Sequence, residues 1–199
     1  EFVNKMMENK WLGSKTGQGF YKKEGKDILT LDLDTLEYRA NKKASFATLE
    51  LTKTIEKPID RFKVLVTGKD KAGEFYRKNF ASMFQYCSNR IPEITDAFYK
   101  IDDAMKAGFG WENGPFEIWD AIGVEKGIEL MKAEGYQPAS WVTDMLASGN
   151  TSFYSIKDGA THFYSITNKK VEKIPGQDAF IILNNIRESK KIWNNSDSI

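Results

Sequence analysis

Apolar residues recur at three- and four-residue spacing along most of the chain, and alternate only in two short zones. Phe2, Val3, Met6 and Met7 mark the end of an amphipathic helix over 2–9. The chain is therefore expected to begin inside a helix, as a piece of something longer. Residues 20–22 and 28–32 read as strands around Glu24-Gly25, with a turn and another extended piece over 33–39. Short helices are expected at 48–56 and 59–66, separated by Pro58. Asp70 suits the N-cap of the first long helix. Its apolar face would be Ala72, Phe75, Tyr76, Phe80, Met83, Phe84 and Cys87. Asn89-Arg90 interrupts this stripe, and Pro92 restarts it with Ile91, Ile94, Phe98, Ile101 and Met105. A helix over 115–122 stops at Gly123. Another, around Val124, Ile128 and Met131, closes at Gly135. Pro138 opens the next, with Trp141, Val142, Met145 and Leu146 inward and Gly149 as its stop. Residues 153–156 and 162–166 read as a hairpin around Asp158-Gly159. A last helix is expected at 178–190. The fold class is mostly α, with short β-hairpins near 19–39 and 151–167.

The pattern centres on residues 108–123, between two polar helical regions. Gly108, Gly110 and Gly114 permit backbone angles that other residues resist, and Pro115 suits a first helical position. A helix should end there, turn tightly and restart at Pro115. Phe109, Trp111, Phe116 and Trp119 are expected to anchor this corner in a core. Glu93, Asp96, Lys100, Asp102, Asp103 and Lys106 read as a solvated face. Neighbouring helical residues diverge by about 100°, so Asp102 and Asp103 are not expected to face one ligand.

Lys and Arg number 29 against 28 Asp and Glu, so nothing global argues for nucleic acid or an anionic membrane. No apolar run reaches spanning length, and no secretory signal opens the chain. The single Cys87 excludes an internal disulfide and points to a reducing, cytoplasmic setting. On its helix face Cys87 reads as a small core residue. One cysteine and one histidine argue against a zinc site. Asn150-Thr-Ser and Asn194-Asn-Ser match the glycosylation pattern by chance.

The loop Leu12-Gly-Ser-Lys-Thr-Gly-Gln-Gly-Phe-Tyr21 tempts two nucleotide readings, and both fail. Lys15-Thr16 precedes Gly17, the wrong order for a phosphate loop. Gly17-Gln-Gly19 lacks the third glycine of a dinucleotide fingerprint. A flexible loop leading into a strand is the better reading. The two ends of the chain also match. Helix, glycine-containing loop, Phe-Tyr, charged glycine turn and returning strand occur in that order from Val3 and again from Val142. This suggests a tandem unit whose first copy has lost its beginning.

The loop 12–21 resembles the closing motif of the C-terminal domain of 3-hydroxyacyl-CoA dehydrogenases. Asn89-Arg-Ile-Pro-Glu-Ile94, with Ile101-Asp-Asp-Ala-Met-Lys-Ala-Gly-Phe-Gly-Trp-Glu-Asn-Gly-Pro-Phe-Glu-Ile-Trp-Asp-Ala-Ile-Gly123, resembles a second, degenerate copy of it. The resemblance covers most of 2–156. It implies a helical fold like the C-terminal domain of 6-phosphogluconate dehydrogenase. It also implies a division into 1–40 (tail of a first copy), 41–69 (connecting helices), 70–167 (second copy) and 168–199 (linker). In such proteins a Rossmann domain binds NAD and carries a His–Glu pair, and an enoyl-CoA hydratase domain follows. Those two domains are the implied partners, and NAD belongs to the parent. No cofactor or catalytic residue is expected here, since His162 matches no catalytic motif. Asn89 and Arg90 lie where the first copy places a substrate-facing Asn, with helix-end hydrogen bonding as the favoured alternative; Lys15 and Thr16 are candidates to approach CoA, with a loop-to-core tether as the favoured alternative. The implied role is substrate closure and domain pairing, with self-association expected to cover exposed apolar surface. Competing readings are an independent helical interaction module and a stand-alone acyl-CoA binder.

Overall fold

Asp70 opens the longest helix as its position implies: its carboxylate accepts from the Gly73 N–H at 3.0 Å, and the helix runs Lys71–Asn89. The computed structural model describes residues 2–179, 181–183 and 185–186. Two compact units divide it, Glu1–Ser45 and Phe46–Ile199. Of the expected helix 178–190, residues 180, 184 and 187–190 lie outside the described residues; its start is a 3-10 turn, Gln177–Ala179, and residues 183 and 185–186 are helical.

The first unit contains α1 (Phe2–Glu8), β1 (Tyr21–Glu24), β2 (Asp27–Leu31) and β3 (Tyr38–Ala40). The strands form an antiparallel sheet in the order β1-β2-β3. The second unit is helical: α2 (Ala47–Thr52), α3 (Pro58–Thr67), α4 (Lys71–Asn89), α5 (Tyr99–Phe109), α6 (Pro115–Ile122), α7 (Val124–Ala133) and α8 (Ser140–Ala147). A second antiparallel sheet, β4 (Tyr154–Lys157), β5 (Ala160–Ser165) and β6 (Lys170–Lys173), follows. The mostly α class holds, and each hairpin carries a third strand.

An aromatic cluster fills the core of the second unit. Phe84 stacks on Trp119 at 4.6 Å between centroids. Phe153 makes edge contacts with Phe98, Phe116 and Trp119 at 5.4, 5.1 and 5.0 Å. Such offset and edge-on pairs suit the ring quadrupole and add to the burial of large apolar area. The indole N–H groups are satisfied too: Trp119 donates to the Val124 carbonyl and Trp141 to that of Ser88.

Five expectations need correction. Phe75 lies on the outer face of α4, and Ile94 is exposed. The helix does not restart at Pro92, because residues 91–98 form turns and α5 begins at Tyr99. There the Thr95 hydroxyl accepts from the Ala97 N–H at 3.2 Å, a local bond that competes with helix. Pro138 stands two residues ahead of α8, whose N-cap is Ala139. At the corner, Phe116 and Trp119 are fully buried as expected, but Phe109 and Trp111 are exposed. They flank Gly110, which ends α5 at φ +67°, and the chain reverses there toward solvent. Gly108 lies inside α5 and takes no positive φ.

The internal repeat extends to the hydrogen bonds. After α1, Asn9, Lys10 and Trp11 donate to the carbonyls of Lys5, Met7 and Met6; after α8, Ser148, Gly149 and Asn150 donate to those of Asp144, Leu146 and Met145. Leu31 donates to Phe20 O in the first hairpin, and Tyr164 to Phe153 O in the second. The turns before β3 and β6 both carry a left-handed residue, Leu36 at φ +61° and Lys169 at φ +51°. The two segments thus share one backbone plan within their separate units.

Candidate functional site

The α5–α6 corner is built around a glycine that has no side chain to cap the new helix. Gly114 is the N-cap of α6 and Pro115 its first residue. Asp102, on α5, supplies the missing acceptor. Its Oδ1 takes the Phe116 N–H at 2.9 Å and its Oδ2 the Glu117 N–H at 3.0 Å. A Cβ on Gly114 would stand 2.3 Å from the Asp102 Cβ and Cγ. Glycine is therefore required by the approach of that carboxylate. Glu117 reaches back to the Gly114 N–H at 2.8 Å, completing a reciprocal cap.

The same carboxylate reaches the hairpin: the Tyr154 hydroxyl donates to Asp102 Oδ2 at 2.8 Å. One turn along α6, Asp120 accepts from the Phe153 and Tyr154 N–H groups at 2.7 and 2.8 Å. Tyr154 is thus held at its backbone and at its phenol by carboxylates on two helices. Burial is the largest influence on both acids. It pushes Asp102 up to about 6 and Asp120 up to about 7, against the opposing effect of the hydrogen bonds. Burial also raises the Tyr154 phenol, and Asp102 adds to the rise. At Lys106 burial opposes the charge, but Glu117 at 2.7 Å and Asp103 at 3.4 Å outweigh it and hold the ammonium charged.

An open cavity of about 880 Å³ lies beside this cluster. Asp103, Lys106, Glu117 and Asp120 line one side, and Ile59, Ile156 and Ile174 supply apolar wall. Asp102 is 0% exposed. Its two oxygens and those of Asp120 are already engaged by donors from the chain. Lys106 is matched by two carboxylates, so among the described residues the cavity presents no spare cation for a phosphate. The arrangement is chemically a clamp between helices and hairpin. Among the described residues, no group of three His, Cys, Asp or Glu is placed to hold a metal ion.

The residues singled out from sequence lie apart from this clamp. Asn89 donates to the Gln85 carbonyl and is exposed. Arg90 stacks near the Tyr86 ring and pairs with Glu93 at 2.6 Å. Lys15 is exposed in the first unit. Thr16 accepts from the Leu12 N–H and bonds the Gln18 carbonyl, tying its own loop together. None of the four lines the 880 Å³ cavity. His162 sits on β5 with Nδ1 3.1 Å from the Ala160 carbonyl. Burial raises Cys87 to about 11, which keeps it a thiol.

The reading of Asp102 as solvated is overturned. The divergence argument does hold, because Asp103 faces out. A signal was available: Asp102 follows Phe98 by four and precedes Met105 by three, so it stands in the apolar stripe itself. Asp120 likewise follows Phe116 by four.

A helical domain with an aromatic core and a capped glycine corner defines the class. Residues 80–157 match the model for the family "3-hydroxyacyl-CoA dehydrogenase, C-terminal domain". The chain thus carries a C-terminal domain of the 3-hydroxyacyl-CoA dehydrogenase family, and the match spans the corner and the clamp. A Bacillus subtilis protein named as a 3-hydroxyacyl-CoA dehydrogenase is 43% identical over 163 residues, 82% of this chain and 20% of its own length. A Rickettsia felis protein named as a fatty acid oxidation complex trifunctional enzyme is 28% identical over 120 residues, 58% of this chain and 15% of that protein. This chain thus spans about a fifth or less of these relatives. No solved structure matches it. No helix among the described residues is long and apolar enough to cross a membrane.

Proposed function

We propose that this chain works as the helical scaffold of a longer 3-hydroxyacyl-CoA dehydrogenase of fatty-acid β-oxidation. The parent would oxidise 3-hydroxyacyl-CoA to 3-oxoacyl-CoA with NAD, and this piece would supply substrate closure and domain pairing. The observation that carries the reading is the clamp, where Asp102 and Asp120 spend their oxygens on backbone N–H groups and one phenol. Carboxylates so engaged hold architecture; they are not free to take a substrate proton. A nicotinamide nucleotide finds no match in the described residues. Both sheets are antiparallel and three-stranded, whereas a dinucleotide cradle needs a strand–glycine turn–helix unit in a parallel sheet.

The parent's Rossmann and hydratase domains are the proposed partners, in a cytoplasmic setting. Acyl-CoA contact by Asn89, Arg90, Lys15 or Thr16 belongs to the same proposal, as does self-association of the isolated chain. Incubating the chain with a 3-hydroxyacyl-CoA and NAD tests the central claim. No NADH absorbance should develop, and robust turnover by the chain alone would overturn it. Calorimetric titration with an acyl-CoA separates a scaffold from a stand-alone binder, which would give saturable heat.

A further inference from the structure

Asn113-Gly114 is the one Asn-Gly step in the sequence, and it falls at the start of α6. Such a step is chemically labile. The glycine nitrogen can attack the side-chain carbonyl of the asparagine, because no side chain on the second residue stands in the way. Three things are required. The N–H must give up its proton, the backbone must swing the nitrogen onto Cγ, and water must reach the product. The structure grants the third and withholds the first two. Asn113 lines the open 880 Å³ cavity, so water has access. The Gly114 N–H, however, is held by Glu117 Oε2 at 2.8 Å. Lys106 anchors the other oxygen of that carboxylate at 2.7 Å. The turn that follows is tied to Asp102 through the Phe116 and Glu117 N–H groups. Restraint thus sits on the nucleophile, not on the group it would attack.

We propose that Asn113 is a latent modification site, deamidated when the α5–α6 corner opens and guarded by the Glu117 cap while it is closed. In the open corner the Gly114 nitrogen gives its proton to hydroxide and forms a bond to Asn113 Cγ. The Cγ–Nδ2 bond breaks, and the side-chain nitrogen leaves as ammonia with a proton from solvent. Water then opens the five-membered imide. Attack at Cγ gives aspartate; attack at the main-chain carbonyl gives isoaspartate, with the backbone routed through Cβ and Cγ. Nothing is oxidised or reduced. Either product works against closing again. Aspartate adds a carboxylate to a wall that already carries Asp103, Glu117 and Asp120. Isoaspartate puts an extra backbone carbon ahead of Gly114 and displaces the nitrogen that Glu117 must meet. A transient opening of the corner thereby becomes a permanent mark on the chain. The inference goes beyond the scaffold reading and does not depend on it.

The test incubates the full chain at neutral pH in water enriched in oxygen-18, then digests it with trypsin. Residues 107–126, bounded by Lys106 and Lys126, hold Asn113 as their only asparagine. Mass spectrometry of that fragment reads the exchange of an amide for an acid carrying one heavy oxygen. Asn113 should disappear at least about tenfold more slowly in the folded chain than in the chain unfolded in urea, since local opening must come first. Glu117→Ala frees the Gly114 N–H and should speed the loss by about tenfold, the size of one charge-assisted bond. Asp70→Ala removes the cap of α4 and leaves the Glu117 bond intact. It controls for general loss of stability and should stay within about twofold of the parent, because distant sites act independently. If circular dichroism shows Glu117→Ala unfolded, Glu117→Gln replaces it; its neutral amide accepts more weakly, and the rate should rise in the same direction. Equal rates in folded and unfolded chain would overturn the proposal. So would a rate unmoved by the Glu117 variant that folds, or one raised as much by Asp70→Ala.

Discussion

Asp102 replaces a side chain that Gly114 cannot offer, and this sets the cost of changing either residue. Removing the carboxylate leaves two helix-start N–H groups and a buried phenol without acceptors. Asp102→Ala should therefore destabilise the second unit by about 3 kcal/mol or more, from lost capping and unsatisfied donors. Tyr154→Phe removes one of the three donors and should cost about 1–2 kcal/mol. Urea denaturation followed by circular dichroism measures both, and a larger loss for Tyr154→Phe would contradict the capping account. Gly114→Ala presses a methyl into the same carboxylate and should cost about 1–3 kcal/mol by overpacking. At Gly108 a Cβ meets nothing within 4 Å, and the residue lies inside α5. Gly108→Ala should therefore stabilise by up to about 1 kcal/mol through helix propensity. The glycines of the corner look alike in sequence, but a neighbouring carboxylate distinguishes them.

Elements with a strong period were legible without the structure. The stripe Ala72, Phe80 and Phe84 gave α4, and Asp158-Gly159 gave a two-residue turn whose residues take φ +53° and +74°. Gly159→Val places a β-branched residue at positive φ and should loosen β4 and β5 first. Amide hydrogen exchange should then show faster exchange at Tyr164, which bonds Phe153, than in α4; uniform exchange across the unit would count against this. Elements defined by tertiary contact were not legible. Nothing periodic separates 91–98 from a helix, and the Thr95 bond to Ala97 is a local competitor that the apolar spacing does not show. Phe109 and Trp111 carry no local mark of exposure, because aromatic type alone suggests a core. The polar half of the site stayed hidden for the same reason. A carboxylate in an apolar stripe reads as an error of pattern until the donors it meets are known.

The molecule as a whole should be most stable in weak acid. Asp102 and Asp120 sit above the ordinary carboxylate value of 3.8. Their contribution is fully present below about pH 4 and is lost as pH rises through about 6 and 7. Asp70 is held down to about 2, first by the Thr48 N–H and then by Gly73; Asp32 is also lowered, chiefly by Arg39. Their contribution is present above about pH 4 and disappears as pH falls through their folded values. The melting temperature should therefore fall from pH 5 to pH 8, and fall again below pH 3. Asp120→Asn should flatten the upper limb. A melting temperature that climbs from pH 5 to 8 would refute the assignment. The two limbs belong to different places: the acid limb reports Asp70 and Asp32, and the neutral limb reports the clamp.

The hold on Tyr154 has one more effect, on strand alignment. β4 is mostly exposed, so burial of its side chains does little to choose one pairing with β5 over the next. A slip by a single residue would turn the phenol to the opposite face of the sheet. It would also carry the Phe153 and Tyr154 amides past Asp120. Polar anchoring thus reinforces along β4 the register that the buried Phe153 sets at its start, and a thin ribbon of sheet keeps its place on a helical body.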